Sequence, residues 1–109
     1  MENNMKALMI VVNAGFADDI IDATREVGVR GATIFNARGE GAHHKSILGI
    51  TVDTEKDLIL CVVDTITAEK AMDVIKEKFG IKTPAHSICF TMPVDKIVGI
   101  NIEPLIYKP

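Results

Sequence analysis

Two aliphatic runs leave this chain few ways to fold. "MKALMIVVN" (5–13) and "DLILCVVD" (57–64) are continuous, apolar and rich in β-branched residues. Such runs read as strands buried on both faces, because successive strand residues point to opposite sides of the sheet. A 109-residue chain with 48% apolar and 25% charged residues has room for one core. We therefore expect one domain over 1–109, with these two runs at the centre of its sheet.

The remaining segments fill in the architecture. "FADDIIDATREVG" (16–28) places Ile20, Ile21, Thr24 and Val27 on one helical face, with Asp18 and Asp19 at its start and Gly28 as a C-terminal cap. "ATIFNAR" (32–38) reads as a strand, followed by a glycine-bearing loop to about Asp53. A second helix sets Ala68, Ala71, Met72, Ile75 and Phe79 on one face, with Thr67 as expected N-cap and Gly80 as expected C-cap. "HSICFTM" (86–92) is a fourth strand, and "KIVGINI" (96–102) a short fifth.

The order is β-α-β-β-α-β with an appended strand, a split β-α-β pattern. It predicts an α+β, ferredoxin-like fold: a four-stranded antiparallel sheet in the order fourth, first, third, second, with both helices on one face. The aliphatic side chains of the central strands then leave the other face uncovered. No segment remains to cover it, so oligomerisation is expected.

Bulk properties exclude several classes. A formal charge of −3 argues against nucleic-acid binding, which calls for a basic face. No apolar run is as long as a membrane span, and "MENNMK" is unlike a signal peptide, so a soluble cytoplasmic protein is expected. Cys61 and Cys89 lie inside apolar runs and read as reduced core thiols, on strands too far apart to be bridged.

The stretch "ARGEGAHHKS" (37–46) raises two chemistries. Gly39 and Gly41 would let the main chain approach a phosphate, although a plain turn uses the same residues. His43 and His44 could share a divalent metal only in a loop, since neighbours on a strand face opposite ways. Further ligands would have to come from His86, Glu40, Asp53 or another subunit. Ser46 near His44 and Ser87 beside His86 are the only nucleophile–base neighbours in sequence, and adjacency is not triad geometry. No enzyme is expected.

The stretch "EVGVRGATIFNARGEG" (26–41) resembles the PII signal-transduction family. Glu26, Val27, Gly28, Val29, Gly31, Thr33, Arg38, Gly39 and Gly41 match its pattern without a gap. Weaker echoes are "LCVVD" with "AMDVI", and the spacing of Phe90, Val94, Ile97 and Val98. The resemblance implies a homotrimer that binds an adenine nucleotide (AMP, ADP or ATP), or a related small effector, in clefts between subunits. It further implies regulation of a partner, an enzyme or a membrane transporter, through the loop at about 40–55. Carried over by position, Gly31, Ala32 and Thr33 would hold the base. Arg38, Gly39, Glu40 and Gly41 would approach phosphates, as would His86 and Ser87. Val11 and Val62 would line the cleft from their strands.

The departures from that pattern concern charge. The family's second phosphate loop reads Gly-Asp-Gly-Lys, where this chain has "TPAHS" (83–87). Two family arginines fall at Gly99 and Asn101, the arginine after the glycines at Ala42, and the following glutamine at His43. The loop is shorter and lacks the tyrosine that some members uridylylate. Charge-assisted contacts are the strong ones on phosphate, so a looser grip on a triphosphate is expected. The alternatives are a trimeric, CutA-like metal-binding protein and an interaction module whose nucleotide site has decayed.

Overall fold

The computed structural model describes residues 4–39, 45–47, 50–52 and 54–99. Strand β1 (Met5–Asn13) leads to helix α1 (Ala17–Arg25) and strand β2 (Thr33–Gly39). A two-stranded ladder, β3 (Lys45–Ile47) with β4 (Ile50–Val52), precedes β5 (Thr54–Asp64), helix α2 (Thr65–Phe79) and β6 (Ile88–Pro93). The main sheet runs β2-β5-β1-β6 and every pairing in it is antiparallel. This is the expected ferredoxin-like βαββαβ fold with the expected strand order.

Alternation separates two faces. Leu8, Ile10 and Val12 of β1 and Ile59, Cys61 and Val63 of β5 are buried against Ala17 and Ile20 of α1 and Ala68, Ala71 and Ile75 of α2. Both helices therefore cover the same side of the sheet. The opposite side carries Met9 and Val11 of β1 with Leu58, Leu60 and Val62 of β5, all half-buried. It continues onto the edge strands through Phe35, Ile88, Phe90 and Met92, which are exposed. An aliphatic face is thus left open to solvent in the single chain.

Chain reversals explain the helix ends. Gly28 has φ +116°, and its N–H donates to the Arg25 carbonyl at 3.1 Å while the Val29 N–H donates to the Thr24 carbonyl at 3.1 Å. These two bonds form a Schellman turn, whose left-handed position suits a residue without Cβ. At α2 the expectation of Thr67 as cap is corrected. Asp64 is the N-cap: its carboxylate accepts from the Thr67 N–H at 2.8 Å and from the Thr67 hydroxyl at 2.9 Å. The last residue of β5 thereby opens the helix with no intervening loop. Gly80 caps the other end as expected; a Cβ there would lie 2.6 Å from the Lys76 carbonyl oxygen.

Other boundaries moved. The expected loop to Asp53 contains β3 and β4, and β5 starts at Thr54, lengthening its ladder with β2 to Gly39↔Thr54. Residues 86 and 87 precede β6 rather than opening it. Residues 96–99 of the expected fifth strand form no strand, and 100–102 lie outside the described residues.

The cysteines are free, and β1 lies between their strands. Burial pushes the Cys61 thiol up from 9.0 to about 11, and burial raises Cys89 as well. Because the folded value of Cys61 lies above its unfolded one, its contribution to stability is complete below pH 9 and is lost as pH rises through about 11. At about pH 8 a thiol reagent should leave Cys61 unmodified in native protein and modify both cysteines in denaturant. Rapid native labelling of two thiols would contradict this packing.

Candidate functional site

The sequence-derived candidates fall into two groups at opposite ends of β2. Gly31, Ala32 and Thr33 are exposed where the chain enters that strand. Thr33 pairs with Leu60, so Val62 lies diagonally beside it on the same uncovered face. Gly39 ends the strand, opposite Thr54. Six residue steps of strand separate Thr33 from Gly39, about 20 Å at the usual rise. A base held at Thr33 and a phosphate held at Gly39 of the same chain would be too far apart to belong to one mononucleotide.

The Gly39 end is the more polar. Lys56 of β5 sits directly opposite both Asn13 of β1 and Ala37 of β2, on the uncovered face. Its ammonium donates to Asn13 Oδ1 at 2.7 Å. Its aliphatic stem lies so near Gly39 that a Cβ there would meet Lys56 Cε at 3.0 Å. A side chain at 39 would press on the lysine stem, which would have to shift by a few tenths of an ångström. Val11 neighbours this cluster, opposite Leu58 and Ile88. Arg38 is exposed on the opposite, helix-bearing face, paired with Glu55 in register.

Residues 83–87 close the same end. The Asn13 backbone N–H donates to the Ala85 carbonyl, and its side-chain amide donates to that of Pro84, each at 2.9 Å. The Ser87 hydroxyl donates to the Phe79 carbonyl, and the residue is buried. Thr83 likewise donates to the Gly80 carbonyl at 2.8 Å. His86 is exposed in the left-handed region, φ +48°, with Nδ1 2.9 Å from the Ile81 carbonyl oxygen. That contact assigns the proton to Nδ1 and leaves Nε2 available to solvent or a ligand.

Glu40, Gly41, His43, His44 and Asp53 lie outside the described residues. Among the described residues no three His, Cys, Asp or Glu side chains are grouped to hold a metal ion. Nor is any helix there long and apolar enough to cross a membrane. A surface groove of about 430 Å³ runs beside Gly31 and Ala32 on the α1 side, with Asp18, Arg25 and Arg30 in its wall.

Asn13 and Lys56 were missed in the sequence. Their signal is a polar residue closing one aliphatic run and a cation opening the other, which meet only once the strands pair antiparallel.

The chain matches the model of a protein family described as Nitrogen regulatory protein P-II over residues 5–103. Similar solved structures include a PII-like signaling protein from Thermus thermophilus, 18% identical with TM-score 0.62, covering 81% of this chain and 84% of that one. B. subtilis GlnK is 18% identical with TM-score 0.65, covering 85% and 87%. The B. subtilis GlnK-ATP complex is 16% identical with TM-score 0.64, covering 84% of each. These likenesses concern the fold. No curated protein matches the chain.

Proposed function

This chain belongs to the nitrogen regulatory protein P-II family, and from that membership we propose that it is a homotrimeric, cytoplasmic signal-transduction protein. It binds an adenine nucleotide, or a related small effector, in clefts between subunits. It acts on a partner, an enzyme or a membrane transporter, through the loop at about 40–55, and catalyses no reaction itself.

The observation that carries this reading is the division of the candidate site. Thr33 and Val62 on the base side and Gly39 and Lys56 on the phosphate side occupy opposite ends of one uncovered aliphatic face, with Val11 between them. Gly31 and Ala32 lead into the first end, and His86 lies in the segment tied to the second. Packing that face against other copies would bring one end of each subunit to the other end of its neighbour, making a shared cleft at each junction. An ATP complex of the similar B. subtilis GlnK supports an adenine nucleotide as ligand. Gly41 and Glu40 would complete the phosphate side in this reading, with Arg38 at its margin. The inward-directed Ser87 hydroxyl would contribute only through its place in the chain.

The charge inventory sets the expected selectivity. With no lysine in 83–87, and glycine and asparagine at 99 and 101, few cations meet the phosphates. Each charge-assisted contact absent from a triphosphate removes roughly 1.5–3 kcal/mol of its advantage. AMP, ADP and ATP should then bind within about tenfold of each other. Thr33→Val should weaken all three alike, since it removes a hydroxyl from the base side. Calorimetric titration in chelator checks this. Strong preference for ATP would refute the depleted-cation argument, and tight histidine-dependent zinc or copper binding without any nucleotide binding would make the protein CutA-like.

A further inference from the structure

We infer that Asn13 is a positioning residue for the phosphate side of the cleft: its amide ties residues 83–87 to the sheet and fixes the Lys56 ammonium beside Gly39. The inference rests on the nucleotide reading above and assigns a role to a residue that reading does not use.

The geometry is that of a two-ended clamp. Asn13 is the last residue of β1, held there by its own N–H to the Ala85 carbonyl at 2.9 Å. One end of its side chain donates to the Pro84 carbonyl at 2.9 Å, across 71 residues of sequence. The other end accepts from Lys56 Nζ at 2.7 Å, across 43 residues. A carboxamide supplies donor and acceptor on one short planar group; aspartate at this position would lack the donor, and serine would lack the reach to bond both partners at once.

The neutrality of the acceptor matters as much as its position. Lys56 has no ion-pair partner among the described residues, so asparagine orients the ammonium without cancelling its charge. A freely rotating lysine would have to be ordered when an anion arrives, at a cost in side-chain entropy. Here much of that ordering precedes binding. The same clamp sets the height of the segment carrying His86, which follows directly from the anchored Pro84 and Ala85. Two elements remote in sequence are thereby registered against each other at the place where the proposed ligand carries its negative charge.

Asn13→Asp keeps the acceptor, removes the donor and adds a charge that pairs with the ammonium. ADP should bind it about tenfold more weakly than wild type, with adenosine changed less than about twofold, because only the phosphate contact is affected. Lys56→Met should produce a similar loss for ADP, and the double variant should lose less than the sum of the two in log affinity, as coupled residues do. Asn13→Ala should speed hydrogen exchange of the His86 and Ser87 amides by about tenfold in ligand-free protein. Unchanged ADP affinity in Asn13→Asp, or an equal loss for adenosine, would overturn the inference. If the wild-type protein binds no adenine nucleotide, the functional reading fails on that result alone. Amide exchange then decides the clamp: faster exchange at 86 and 87 supports it, and unchanged exchange rejects it.

Discussion

Met9→Glu is expected to leave the subunit folded and to dissociate the proposed trimer. Met9 lies at the middle of the uncovered face, opposite Leu60 on one side and Phe90 on the other. In an isolated chain the new carboxylate can reach water from this half-exposed position. In an assembly built on this face it would be buried among aliphatic and aromatic groups with no cation opposite it. An unpaired buried charge costs several kcal/mol, enough to shift association by orders of magnitude. Light scattering should change from trimer to monomer mass while the circular dichroism spectrum is kept. Nucleotide binding should vanish with it, since the two halves of the cleft would no longer meet. A trimer that survives Met9→Glu would mean that subunits associate elsewhere, and the shared-cleft reading would fall.

The adjacent residue should behave in the opposite way. Ile10→Ala is expected to lower unfolding free energy by about 2–5 kcal/mol, the range for truncating a large aliphatic side chain in a core. Ile10 is 1% exposed, flanked by Ile59 and Cys89 and covered by the helices. Its loss opens a cavity in the subunit and touches nothing on the uncovered face. Denaturant titration should show a lower midpoint with an unchanged slope, and subunit mass under native conditions should stay that of wild type. A cost below about 1 kcal/mol would place Ile10 outside a tight core. The pair tests the division of faces directly, because neighbouring residues of one strand are predicted to fail by different mechanisms.

Local features were legible in the sequence because their causes are local. Both central strands follow from uninterrupted aliphatic runs, and α2 follows from the spacing of Ala68, Ala71 and Ile75, all now buried on one face. Gly28 and Gly80 mark chain turns as residues without Cβ should. The four-strand order also followed, since few connections satisfy right-handed crossovers among so few elements. Thr67 was misjudged because a cap depends on where the preceding strand stops. Threonine and aspartate both serve as caps, and the end of β5 made Asp64 the acceptor. The hairpin of β3 and β4 gave weaker signals than the glycines and histidines around it.

The candidate site divides along the same line. The resemblance of residues 26–41 to the PII pattern named Gly31, Ala32, Thr33 and Gly39, and the departures from that pattern pointed to a phosphate side poor in cations. Periodicity also determined that β1 and β5 would be aliphatic on both faces, because side-chain direction repeats every two residues whatever the strand pairs with. Only the tertiary structure turned the Ser87 hydroxyl inward and set the Asn13 side chain between Lys56 and Pro84. The contacts of Asn13 depend on register, which brings together residues 43 and 71 positions apart. Register is decided by the summed packing of the whole sheet, which no short stretch of sequence contains.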